Sequence, residues 1–236
     1  MKNRFILSFL TLFAALLIST GSAHAAVLTA NAIFEGQAPV IEKIKTDADP
    51  KCKLAHPTGM DSDEVVVNSN NTLKNVFVYI KEGLGDKKFD APKTPVIFDQ
   101  VGCHYTPKVF GIQVSQPLEI HNSDDTLHNV HALPANSQQF NLGMPIKGMK
   151  LSKTFAKPEV MVKIKCEVHS WMKAYAGVVD NPFYGVTGDN GAAQIKDLPP
   201  GDYVLEAWHE KYGSQTQKVI VTDKDQAIDF NFSAKG

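Results

Sequence analysis

Cys166, His169 and Met172 recur at three-residue intervals in the segment Cys166-Glu167-Val168-His169-Ser170-Trp171-Met172. A thiolate, an imidazole and a thioether thus share one short loop. Upstream, Leu127-His128-Asn129-Val130-His131 offers further imidazole. Two imidazoles and a thiolate in a plane, with a long axial thioether, make a donor set suited to one copper ion that cycles between two oxidation states. Soft sulfur favours the monovalent ion, while imidazole also suits the divalent one. A geometry between the two preferences changes little when an electron moves. Other chemistries fit less well. A structural zinc site takes four firm nitrogen or sulfur ligands, and this loop supplies two and a thioether. A Cys-His-Asn hydrolase sets its Cys at a helix start, whereas Cys166 follows a strand-like run. A mononuclear site with all positions filled leaves no opening for a substrate, so the expectation is a protein that is not an enzyme.

The elements that must position these groups read as strands. Val160, Val162, Ile164 and Cys166 alternate with Met161, Lys163 and Lys165, which puts the first four on one face and points Cys166 inward. Similar short apolar runs occur at 65–67, 76–80, 95–98, 109–114, 118–121, 174–179, 203–207 and 218–221. Turn-forming residues separate them, as at Asn68-Ser69-Asn70-Asn71 and Pro199-Pro200-Gly201-Asp202. No long segment beyond residue 25 keeps a helical apolar period, and residues 47–63 read as an irregular loop. The fold class expected is all-β.

His-Asn-Val-His at 128–131 and Cys-x-x-His-x-Trp-Met-Lys at 166–173 resemble the cupredoxins, and within them are most similar to amicyanin and plastocyanin. The resemblance implies a Greek-key β-sandwich with a type 1 copper site. His128, Cys166 and His169 would be the equatorial ligands and Met172 the axial one. Asn129 would tie the strand of His128 to the loop of Cys166, and such hydrogen bonds hold ligand geometry. His169 would be the solvent-edge ligand through which electrons pass, with Trp171 beside it as the docking patch. Ser170 departs from the Pro usual in amicyanin-type loops. The implied function is single-electron transfer between redox partners such as a c-type cytochrome or a periplasmic dehydrogenase.

The remaining histidines carry weaker arguments. His131 follows His128 at an odd strand spacing and should face the other way. His121 and His104 read as surface or hydrogen-bonding residues, and His209 as structural. Cys52 and Cys103 have two readings. One is a disulfide that leaves Cys166 free for metal. The other is a second metal site of Cys52, His56, Cys103 and His104.

The N-terminus has the pattern of a secretory leader. Lys2 and Arg4 precede the apolar run 5–18, and Ala23-His24-Ala25 is a small-x-small cleavage site. That run is short for a bilayer span, which takes roughly 20 residues. The expected mature protein is periplasmic or secreted, with no membrane segment. Across 236 residues, 24 Lys and Arg balance 25 Asp and Glu, so no basic excess points to nucleic acid.

A copper unit of cupredoxin size fits residues 75–180. Beyond it, Gly185-Val186-Thr187-Gly188-Asp189-Asn190-Gly191 and Leu198-Pro199-Pro200-Gly201-Asp202-Tyr203 resemble a carboxypeptidase-regulatory-like (transthyretin-like) sandwich over 181–236. Residues 26–74 either extend the copper unit or complete that second, smaller sandwich. Two further functions stand beside electron transfer: a copper-binding carrier or sensor, and a non-redox β-sandwich binding module.

Overall fold

The computed structural model describes residues 26–234; the expected leader, 1–25, lies outside the described residues. The chain opens with β1 (Val27–Glu35), β2 (Lys43–Ile44), α1 (Pro50–Ala55), β3 (Met60–Asp61) and β4 (Phe77–Glu82). Next come β5 (Val96–Val101), β6 (His104–Thr106), β7 (Val109–Gln113), β8 (Leu118–Asn122), β9 (His128–Ala132), β10 (Phe140–Met144) and β11 (Lys150–Lys153). β12 (Glu159–Lys165), β13 (Lys173–Val179), β14 (Tyr184–Val186), β15 (Ala192–Lys196), β16 (Gly201–His209), β17 (Gly213–Val221) and β18 (Gln226–Ser233) complete it. Apart from the six-residue α1, the described chain is all-β. No described helix is long and apolar enough to cross a membrane.

Two sheets carry the site. One has the order β10-β9-β12-β13-β7 and the other β11-β8-β5-β6. Pairing is mostly antiparallel, with parallel joins between β13 and β7 and between β5 and β8. Their shared core holds Phe98, Ile112, Leu118, Ile120, Phe155 and Ile164, all buried. Each such side chain adds roughly 1.5–3 kcal/mol by leaving water. Cys166 and Met172 belong to this same cluster, so the sulfur donors sit at the edge of a rigid core.

The remaining long strands form the sheets β15-β1-β18 and β14-β4-β16-β17. β1 is antiparallel to β15 and parallel to β18. Leu28, Phe34, Ile80, Leu205, Phe230 and Phe232 bury together there. A third cluster, Phe77, Tyr79, Val109 and Val179, joins the two regions. The join needs room: Gly111 and Gly177 face each other across β7 and β13. A Cβ on Gly177 would lie 2.3 Å from the Phe77 ring, and one on Gly111 2.2 Å from the Tyr184 ring.

Two local expectations are corrected. The segment 47–63 is not wholly irregular. Asp49 caps α1 by accepting the N–H groups of Lys51 and Cys52, and Pro50 opens the helix with its preset φ. β12 does not alternate throughout. A bulge between Val160 and Val162 places Met161 at φ 70°, so Val160 packs with the joining cluster while Val162 and Ile164 face the site's core.

Candidate functional site

β9 starts at His128, and the loop 166–172 links β12 to β13. That loop is closed by its own backbone. Cys166 N–H donates to the Met172 carbonyl at 3.1 Å, and Met172 N–H to the His169 carbonyl at 3.0 Å. The His169 N–H points at Cys166 Sγ from 3.3 Å, an arrangement that favours a thiolate. Asn129 spans the two elements: its Oδ1 accepts the Glu167 N–H at 2.6 Å and lies 3.3 Å from Cys166 Sγ. Its Nδ2 is held by Asn141 at 2.6 Å. The Tyr105 hydroxyl donates to the Asn129 carbonyl.

One donor atom each from His128, Cys166 and His169 lies within 4.8 Å of the others, and all three residues are buried. The Nδ1 atoms of the two imidazoles face each other at 3.0 Å, and Cys166 Sγ stands 3.9 Å from that of His169. Met172, 2 % exposed, is buried beneath the loop. His131 turns away to Glu167, with Nδ1 at 2.6 Å from the carboxylate.

Behind the imidazoles stand two carboxylates that sequence reading missed. Asp124 meets His128 Nε2 at 2.9 Å, and Asp49 meets His169 Nε2 at 3.2 Å. Each can accept a hydrogen bond from Nε2–H and leave Nδ1 turned to the centre, the usual way an outer carboxylate fixes a tautomer. Asp124 is itself held by the N–H groups of Gly102 and Cys103, both at 2.7 Å. Asp124 carried a signal, being four residues before His128 in a turn. Asp49 carried none, since it is far from His169 in the chain.

The electrostatics follow from this packing. Burial opposes ionisation of Cys166, but hydrogen bonds from His128 and His169 outweigh it and bring the thiol down to about 5. Burial likewise opposes charge on His128, and Asp124 and Cys166 overcome it, lifting the imidazole to about 9. Asp49 is drawn down to about 2: burial is outweighed by bonds from Cys52, Thr126, His169 and Lys51.

Cys52 and Cys103 form a disulfide, with an S–S distance of 2.00 Å. Cys52 Sγ lies 3.7 Å from His169 Nε2. Trp171 donates to the Cys103 carbonyl at 3.1 Å, with its ring centroid 5.0 Å from that of His169. The bond therefore fastens α1 and its cap directly over the imidazole.

No family model and no curated protein matches the chain. Among solved structures it is similar to part of a copper-containing nitrite reductase from Thermus scotoductus SA-01, at 25% identity and TM-score 0.35. That alignment covers 42% of this chain and spans only 25% of the reductase. An oxidised proline-to-glycine mutant of amicyanin aligns at 19% identity and TM-score 0.33, over 43% of this chain and 97% of its own. A purple cupredoxin from Nitrosopumilus maritimus aligns at 19% identity and TM-score 0.30, over 35% and 97%. Each likeness covers less than half of this chain. At these scores it carries no functional argument.

The disulfide overturns two expectations. A metal site of Cys52, His56, Cys103 and His104 is excluded, since neither sulfur is a thiolate; His56 Nε2 instead meets the Gly102 carbonyl at 2.8 Å. The single-electron carrier with one type 1 copper as resident cofactor is also corrected. Only Cys166 among the three cysteines is free. The bonded segment roofs His169, which is 1 % exposed. The imidazole edge through which such a carrier would exchange electrons is closed.

Proposed function

We propose that the protein holds or senses a thiophilic metal ion as cargo at His128, Cys166 and His169, without passing electrons through it. The observation that carries this reading is the convergence of one thiolate and two imidazoles within 4.8 Å in a buried pocket. Thiolate and imidazole together select soft and borderline ions, with monovalent copper prominent among them. Asn129, Asp49 and Asp124 supply the outer support such a site needs. The roof of α1 suits retention, because water and small chelators must pass it to reach the ion. A buried disulfide beside the site fits an oxidising compartment outside the cytosol.

The test is competition for monovalent copper between the full chain and a chromogenic chelator. The expected result is one ion per chain, with affinity at least about 100-fold lower in Cys166→Ser, since losing a ligand should cost more than losing an outer partner. Equal affinity in the variant would overturn the reading. So would bound copper that cycles through both oxidation states without slower or faster release, because that is the behaviour of an electron carrier.

A further inference from the structure

Each site imidazole has a second nitrogen, and those nitrogens look toward the disulfide. His169 Nε2 is 3.2 Å from Asp49 Oδ2 and 3.7 Å from Cys52 Sγ. Asp49, Cys52 and His169 each place a donor atom within 4.8 Å of the others, and Cys103, Asp124 and His128 do the same. Tetrahedral zinc-like ions, with bonds of about 2.0–2.3 Å, set neighbouring ligand atoms roughly 3.3–3.8 Å apart. His169 Nε2 already stands near that spacing from both Cys52 Sγ and Asp49 Oδ2. A purely structural disulfide would be expected among aliphatic side chains; this one is packed against carboxylates and imidazoles.

We infer that Cys52 and Cys103 are a thiol-gated second metal site. Closed, they are the roof of the first site. Opened by a dithiol, they become two thiolates that take one thiophilic ion together with His169 Nε2 and Asp49. The exchange balances: the dithiol is oxidised to its disulfide, and two electrons and two protons pass to Cys52 and Cys103. Binding the ion then releases to solvent the two thiol protons and, where the first site is filled, the Nε2 proton of His169 as well. The site uses the imidazole nitrogen opposite to the one facing Cys166, so with both ions bound the deprotonated ring bridges them. It stands beside the cargo reading and shares His169 with it.

The sulfurs would not scatter on opening, because other bonds hold both arms. Lys51 pairs with Asp125 at 2.6 Å, and Asp49 accepts from Thr126 at 2.8 Å, which keeps α1 in place. Cys103 is held by Asp124 through its N–H and by Trp171 through its carbonyl. A reductant has an approach: a cavity of about 230 Å³ is lined by Lys51, Leu54, Cys103, Asp125 and Thr126.

The test is an anaerobic cadmium titration of the full chain, oxidised or reduced with dithiothreitol and desalted, read by thiolate-to-cadmium absorption in the near ultraviolet. Oxidised protein should bind one ion and reduced protein two. In Cys166→Ser the counts should be none and one, and the reduced band should show two thiolates. A Cys52→Ser/Cys103→Ser/Cys166→Ser variant should bind none in either state. The inference is overturned if reduced Cys166→Ser binds nothing, if the triple variant binds as well, or if binding comes only with loss of the β-sheet circular dichroism. Should the Cys166→Ser chain not fold, the wild-type count decides: no gain on reduction overturns it. Failure of the cargo reading looks different, as oxidised wild type without an ion.

Discussion

Asn129 and Glu167 are joined side chain to backbone at 2.6 Å, and that bond ties the strand of His128 to the loop of Cys166. The same Oδ1 reaches Cys166 Sγ. Replacing Asn129 by Leu keeps the volume and removes the acceptor, leaving the Glu167 N–H without its partner. A half-buried bond of this kind contributes about 0.5–1.5 kcal/mol, and losing an outer support typically costs metal affinity 10–100-fold. Urea unfolding and a copper competition on Asn129→Leu read both. If affinity holds while stability falls, the tie serves the fold alone.

The slot between β7 and β13 should be intolerant of a single methyl group. Gly177→Ala would drive Cβ to 2.3 Å from the Phe77 ring. Overpacking of this kind costs about 1–3 kcal/mol, measurable as a lowered urea midpoint. Phe77→Leu in the same chain should recover part of that loss, because the two changes share one space. Additive losses would mean that the clash is relieved elsewhere.

Lys108 is buried between two carboxylates, Asp63 at 2.9 Å and Glu210 at 3.1 Å. Burial pushes Glu210 up, with Lys108 opposing. Lys108→Met strands Glu210, and breaking a buried pair from one side costs about 3–5 kcal/mol. Lys108→Met/Glu210→Gln should be markedly more stable than the single variant. A double variant no better than the single one would show that Asp63 and not Glu210 is the main partner.

His209 is buried against Tyr212, accepts the Lys211 N–H at 3.1 Å, and is pushed by burial down to about 4. The unfolded chain would bind this proton near pH 6.5. Between those values the unfolded state holds more protons, so stability falls as pH drops from 6.5 toward 4 and is unaffected above that window. The loss is about 3 kcal/mol at most. His209→Gln keeps an acceptor and does not titrate. Its stability profile should be flatter than wild type in that window, and an unchanged slope would assign the effect to other groups.

How much of this the sequence showed depended on distance along the chain. Cys166, His169 and Met172 share one loop, so spacing alone exposed them, and the alternation along Val162, Ile164 and Cys166 gave their direction. The bulge at Met161 was invisible, since alternation reads the same until backbone geometry breaks it. β1 was not among the short apolar runs, although residues 26–74 were expected to extend one sandwich or complete the other, because Ala30 and Ala32 fill half its buried face and give little apolar contrast. α1 is too short to show a period; its only mark was Asp49-Pro50, a cap followed by a helix-opening residue. Asp49, behind His169, became evident only once chain segments met in space. So did the place of the disulfide, which turned an edge expected to be open into a roofed one.

The pairing of β1 with β18 has a consequence for how the molecule is made. Asn31 bonds to Asp229 across 198 positions of sequence, and β1 lies between β15 and β18, with only its last residues also meeting the nearby segment 71–73. On a ribosome, this strand must wait for β15 and then for β18, which follow far along the chain, before its two strand neighbours exist. Contacts that close such long loops make folding slow, and an unpaired strand is open to sticking in the meantime. The small side chains of Ala30 and Ala32, which kept β1 out of the apolar runs, also make it a poor template for other chains while it waits.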